Sequence, residues 1–419
     1  MTSKTTGLLL LVTVALLGCN REKPAPSAAT PAAAPPPWTL TVEPLTTPAG
    51  PGSLGPQLSV SEQKGPLLSW IEIRDDNATL KFAERNALGW SQPQTAASGA
   101  DWFITDSDVP SVIRLSNGTL AANWLQNTDA ELEAYNLRLS YSKDEGRTWA
   151  RSFLPHHDGT TTQHGFATLF EIPGQGLGLV WLDGRQQAKD RKGSMSLRYA
   201  SYDAQWKQTA DMPIDAKVCE CCSTSVAVTT DGVVTAFRNR TDDEIRDIYV
   251  SRLEGGKWTD GKAVHDDGWK IDACPVNGPA VSAHGRDVAI AWFTTRDDKG
   301  EAYAALSNDA GRTWSDPVRL DEAGSLGHVD VEMLEDGSAV ATWVEFGDGR
   351  SQFRTRRVER SGARSPAVVI AGASGGRVSG TPRLARQGNQ LVFAWVESPE
   401  NGGGPSARVL KSATATLPH

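Results

Sequence analysis

The most reactive side chains of this sequence lie in one arc of the chain: Cys219, Cys221 and Cys222, in the run Cys219-Glu220-Cys221-Cys222, and Cys274 52 residues beyond it. Thiolates are soft ligands, and three or four of them beside His164 or His328 would suit copper or zinc. The C-x-C-C spacing matches no common zinc motif, so the pattern does not name a metal. In an oxidising compartment the same thiols would close disulfides instead, and the expectation is a bridge from Cys274 to one of the other three.

A second group of residues suits a different chemistry. Arg185, Arg238 and Arg240 stand near Asp108, Asp183, Asp330 and His164 in the repeat pattern described below. The planar guanidinium grips carboxylates bidentately, so these arginines point to an anionic or sugar-like ligand, with His164 and Asp330 completing the binding set. Asp108 and Asp183 are also candidate catalytic carboxylates, because a glycoside hydrolase needs two such groups about 5 to 10 Å apart.

What must position these residues is a repeat. A short apolar run ending in an aromatic residue recurs at Trp70, Trp124, Trp181, Phe237, Trp292, Trp343 and Trp395, at intervals of 54, 57, 56, 55, 51 and 52 residues. A second register, Trp90, Trp149, Trp206, Trp258 and Trp314, follows the first five. Between them lie β-rich segments such as VAIAWF and LRLSYS, bounded by turns such as SNGT and EDGS. Four short strands per unit describe a propeller blade, which cannot bury both faces of its sheet without neighbours. The fold class is therefore an all-β propeller of seven blades, with six as the alternative if one terminal copy is a decoration. The seventh unit stops one strand short, and TLTVEPL at residues 39–45 is a strand without a blade; pairing the two would close the ring and hide two sheet edges. In such a ring, the loop before a blade's first strand and the loop after its second strand converge near the axis. The first kind carries Asp106 and Asp108, His164, the C-E-C-C run, Asp272 and Cys274, then His328 and Asp330. The second carries Asp183, Arg185, Arg238, Arg240, Arg296 and Glu345.

The chain begins with Lys4 and an apolar stretch, Leu8 to Leu17, too short to span a bilayer, which needs about 20 apolar residues. Leu16-Leu17-Gly18-Cys19 resembles the lipobox of bacterial lipoproteins. That resemblance implies a signal peptide over residues 1–18, a lipid-modified Cys19 as mature N-terminus and a membrane anchor; Asn20 after it favours the outer membrane. Residues 19–37 form a Pro/Ala-rich spacer with no core-forming side chains, and residues 38–419 form the propeller domain. A formal charge of −8 argues against nucleic acid as a partner. The partners expected are a small-molecule or glycan ligand and, through the anchor, a membrane.

Two segments, Ser142-Lys143-Asp144-Glu145-Gly146-Arg147-Thr148-Trp149 and Ser307-Asn308-Asp309-Ala310-Gly311-Arg312-Thr313-Trp314, match S-x-D-x-G-x-x-W. This is the Asp box, and with the repeat it gives the chain a resemblance to sialidase-like (BNR repeat) propeller lipoproteins of the kind often labelled exo-α-sialidase. The resemblance implies glycan chemistry, but the sialidase machinery does not carry over. Where an Arg-Ile-Pro segment is expected, the chain reads Ser107-Asp108-Val109-Pro110-Ser111, and no tyrosine follows Tyr303 to act as the late nucleophile. The reading is thus a ligand-binding propeller without sialidase activity. A glycoside hydrolase and a copper- or zinc-binding propeller are the alternatives.

Overall fold

The computed structural model describes residues 1–2, 38–61, 63–129, 131–189, 193–372, 380–398 and 407–418. Cys19 and the spacer lie outside the described residues. From residue 38 onward the chain is a propeller of seven antiparallel sheets. Blade 1 holds strands Ser53–Ser61, Gly65–Arg74, Asn77–Asn86 and Gln94–Gly99. Blade 2 starts at Ser111–Arg114, blade 3 at His164–Ile172, blade 4 at Ser225–Thr229, blade 5 at Ala280–His284, blade 6 at Ser325–Met333 and blade 7 at Arg383–Gln387. These first strands contact one another in sequence, and that of blade 7 meets that of blade 1. The six-blade alternative is therefore set aside.

Closure follows the expected route. Val42–Leu45 pairs antiparallel with Ser412–Ala415 and supplies the fourth strand of blade 7. The Ser412 hydroxyl donates to the Leu45 carbonyl at 2.8 Å, and Leu40 is buried in the core between blades 6 and 7. An edge on each terminal segment is thus removed from solvent.

The apolar interior is divided into seven wedges, one between each pair of neighbouring blades. This explains both aromatic registers. The first lies on the second strand of each blade, where Trp70, Trp181, Trp292 and Trp343 are fully buried. The second reaches back to the preceding blade: Trp206 of blade 3 stacks on Tyr141 of blade 2 at 4.1 Å, Trp149 meets Phe82 of blade 1 edge-on, and the Trp90 indole donates to Ser412 of blade 7. Blades 1, 2 and 3 thus each clasp their predecessor with an aromatic ring.

The two S-x-D-x-G-x-T-W segments form matching turns. Asp144 accepts from the Thr148 N–H and hydroxyl at 2.9 and 2.7 Å, and Asp309 does the same for Thr313. These bonds hold the Asp144 carboxyl at about 2, with the Thr148 N–H the largest cause. Gly146 and Gly311 take the positive φ that the turn requires.

Hydroxyls and one carboxylate on the first strands stitch blade to blade. Ser225 accepts from the Val281 N–H at 3.0 Å, Ser282 from Met333 at 3.1 Å and Asp330 from Leu384 at 2.9 Å. At the entrance to the first strands, bulges shift the register between Leu54 and Gln57, Gly165 and Thr168, and Gly327 and Asp330. Gly55, Phe166 and His328 adopt positive φ there. Such bulges re-aim the residues that open onto the axis.

Candidate functional site

The seven first strands enclose a channel of about 350 Å³ on the axis. Side chains two apart on a strand share a face, which sets Asp330 and Glu332 on the channel side by side, with Arg383 of blade 7 beyond them and Asp108 of blade 2 across it. Ser107, Ser111, Thr168, Thr224 and Ser282 add hydroxyls to the same wall. The lining is rich in groups that both donate and accept.

Asp108 is only 2 % exposed, and burial lifts its carboxyl to about 7 against the opposing N–H of Phe166. It lies against the backbone of blade 3, where a Cβ at Gly165 would stand 2.0 Å from its Oδ2. That oxygen accepts no hydrogen bond within the described protein, and neither does the Nε of Arg383 donate one. Burial also raises Glu332, to about 8, with Asp330 adding repulsion. A carboxyl whose folded pKa is raised stabilises the fold fully below its unfolded value near 4, and that contribution is lost as pH rises through the folded value. The stabilisation from Asp108 and Glu332 should therefore be lost between about pH 4 and pH 8, lowering the melting temperature, and Asp108→Asn should reduce that fall by about 5 °C in calorimetric scans. An unchanged pH slope would show that Asp108 is already ionised in the folded protein.

The arginines chosen from sequence are all engaged by groups of the protein itself. Arg238 is buried, and its guanidinium donates only to main-chain carbonyls: Asn277, Arg246 and Phe293, at 2.6 to 2.9 Å, while lying 4.8 Å over the Trp269 ring. It fastens blade 4 to blade 5. Arg185 is taken up by Asp183 at 2.7 and 2.8 Å and by Asp158 at 3.3 Å, and Arg240 by Glu220 and Glu244. Asp183, fully buried, also accepts from the Trp181 indole, so of the two candidate catalytic carboxylates only Asp108 faces the channel. The same indole-to-carboxylate clip recurs as Trp70 to Glu72, Trp343 to Glu345 and Trp395 to Glu397. Asp330 lines the channel but spends one oxygen on the Leu384 N–H and the other on the Val331 N–H.

The metal candidates separate into two places. Cys219, Cys221 and Cys222 lie together, with the Cys219 sulfur 3.1 Å from that of Cys222 and 3.8 Å from that of Cys221. The neighbouring thiols donate to Cys219 and hold it well below the ordinary thiol range, while burial lifts Cys222 to about 12. The expected bridge to Cys274 is not formed: no disulfide joins the four cysteines, and Cys274 is exposed on its own loop. Neither histidine joins the thiols. His328 sits in blade 6 with its Nδ1 3.4 Å from the Thr381 hydroxyl, and burial lowers it to about 4. His164 is fully buried in blade 3, stacked on His156 at 3.7 Å, and both rings share Asp158, at 3.1 and 3.4 Å. Burial lowers His156 below the ordinary imidazole range, against the opposing pull of Asp158.

Sequence reasoning missed His156 and Asp158, which sit in a long loop between blades 2 and 3. It also missed Glu332 and Arg383. Glu332 was within reach, because the period of two from Asp330 places it on the same face.

No known protein family and no curated protein matches the sequence. Among solved structures, the chain is similar to the polysaccharide lyase Uly1 at 10 % identity and a TM-score of 0.51, over 87 % of this chain and 90 % of that one. It is similar to the phage phi92 endosialidase at 10 % identity and a TM-score of 0.51, over 91 % and 70 %. The α-L-arabinofuranosidase Arb93A from Fusarium graminearum follows at 11 % identity and a TM-score of 0.47, over 91 % and 98 %. The structural neighbours are β-propeller proteins that act on glycans. At these identities the likeness establishes the fold.

Proposed function

We propose that the axial channel binds a hydroxyl-rich glycan fragment, neutral rather than anionic, and that the chain holds this channel at the bacterial envelope through a lipid on Cys19, in the outer membrane. The observation that carries the binding reading is the unspent pair on the channel wall: the Asp108 Oδ2 acceptor and the Arg383 Nε donor, neither of which has a partner within the described protein. Buried polar groups left unpaired are costly, and a sugar hydroxyl can satisfy either one. Carboxyls outnumber guanidinium groups on this wall, and Arg185, Arg238 and Arg240 are already neutralised or consumed, which disfavours an anionic ligand. The glycan chemistry named for the structural neighbours supports a glycan as the ligand, while its charge rests on the wall of this channel.

Titration of neutral and sialylated oligosaccharides by ligand-observed NMR tests the channel. Neutral sugars should bind, with affinity lowered roughly 10- to 100-fold in Asp108→Asn, the cost of one charged or strongly polar hydrogen bond. Equal binding by the variant would remove the channel from the reading. A fluorogenic sialoside should not turn over, given Asp108-Val109-Pro110 where Arg-Ile-Pro is expected.

The envelope location rests on the lipobox resemblance around Cys19. Cys19→Ser should release the protein from membranes washed in high salt while leaving its melting curve unchanged. Retention in the membrane fraction would overturn the anchor.

A further inference from the structure

None of the three thiols lines the channel, although the residues that follow them, Ser223 and Thr224, do. The thiol loop runs between the last strand of blade 3, Gln208–Val218, and the first strand of blade 4. Cys219 is pinned by its own N–H, which donates to the Arg238 carbonyl at 3.0 Å. The side chain of Arg238 in turn holds the Arg246 carbonyl at 2.6 Å, and Arg246 directs its Nη1 to the Cys219 sulfur at 3.3 Å. The backbone and the cation beside the thiols are therefore set by buried contacts of blades 4 and 5. Cys219 and Cys222 are buried and Cys221 is half-buried, which leaves one open approach.

Three sulfurs lie within 4.8 Å of one another, and no histidine, carboxylate or fourth thiol joins them among the described residues. With metal–sulfur bonds of about 2.3 Å, a trigonal set needs sulfurs about 4 Å apart. Two of the separations are 3.1 and 3.8 Å, so a widening of under about 1 Å at the Cys219–Cys222 pair admits an ion. Soft thiolates select Cu(I), which accepts three ligands, whereas protein zinc is almost always four-coordinate. Arg246 offsets part of the negative charge that three thiolates would bring to a buried place.

We propose that Cys219, Cys221 and Cys222 form a three-coordinate site for a thiophilic metal ion, Cu(I) in preference to Zn(II). Cys274 takes no part in it. The site binds the ion as a store or carrier and leaves the sugar channel unaltered.

Full-length protein in detergent, reduced and handled without oxygen, is titrated with Cu(I) against a chromophoric chelator and, separately, with Zn(II). One Cu(I) per chain should be retained, and three of the four thiols should become protected from alkylation. Cys221→Ser, at the half-buried position, should weaken retention by about 100-fold or more, while Cys274→Ser leaves it unchanged. Binding of neutral sugars should be the same in all these variants, so failure here is distinct from failure of the channel reading. Retention of Zn(II) but not Cu(I), dependence on Cys274, or four thiols that stay reactive with copper present would each overturn the proposal. A Cys219–Cys222 disulfide that forms in air, in protein that also fails to take Cu(I), would identify the pair as a redox couple instead.

Discussion

Deleting residues 39–45 should lower the melting temperature by about 10 °C or more, with the loss confined to the closure of the ring. The deletion removes the Val42–Leu45 ladder, the buried Leu40 and the Ser412 hydroxyl bond, and leaves Val409–Thr416 as an open edge. Exposed edges pair with other chains, so the truncated protein should also aggregate on heating. Calorimetry and light scattering on a chain starting at residue 46 should be compared with one starting at residue 38. Equal melting temperatures would mean that the first six blades, of which blade 2 itself has only three strands, and the remaining three strands of blade 7 hold the ring without the added strand.

Arg238→Ala should cost about 3 to 5 kcal/mol, more than any substitution of an exposed arginine. The side chain is buried, and its loss strands the carbonyls of Asn277, Arg246 and Phe293 and uncovers the Trp269 face. Arg238→Lys should recover only a fraction, because one ammonium cannot reproduce a fork aimed at three carbonyls. Urea unfolding measures both. A loss below about 1 kcal/mol for the alanine variant would show that water replaces the guanidinium and that the arginine is free for another task.

The fold was legible because its period is long and its marker large. An aromatic residue, tryptophan in all blades but the fourth, every 50 to 60 residues on a second strand is hard to mistake, and the strand missing from the seventh unit matched the orphan strand before the first. The channel was legible in part. Asp108 and Asp330 were placed on the axis by their position in the repeat, but their partners were not, because a loop position fixes where a backbone lies and not what a long side chain reaches. Arg238 shows the difficulty: its chain position belongs to a mouth loop, yet its guanidinium turns into the blade interface. The cysteines show the converse. Equivalent loops suggested that Cys274 would meet the other three, whereas the contact that formed is the local one, among residues one to three apart. His156 and Asp158 carried no repeat signal, since they lie in a loop whose length is particular to one junction.

The indole-to-carboxylate clip also bears on how the repeats diverged. Four blades keep an acid two residues after the aromatic, at Glu72, Asp183, Glu345 and Glu397, whereas blades 2, 4 and 5 have Gln126, Asn239 and Thr294 there. In blade 5 the missing acid is supplied from outside the repeat, by Asp267, which accepts from the Trp292 indole at 2.8 Å. With the indole satisfied from a neighbouring loop, position 294 needs no acid, and Thr294 stands there. Blade 4 has gone furthest: its marker is Phe237, which has no N–H to satisfy, and the next residue is Arg238 rather than an apolar one. The thiol loop leads into that same blade, so the blade whose aromatic marker needs no acceptor is also the one whose next residue, Arg238, fixes the backbone of Cys219.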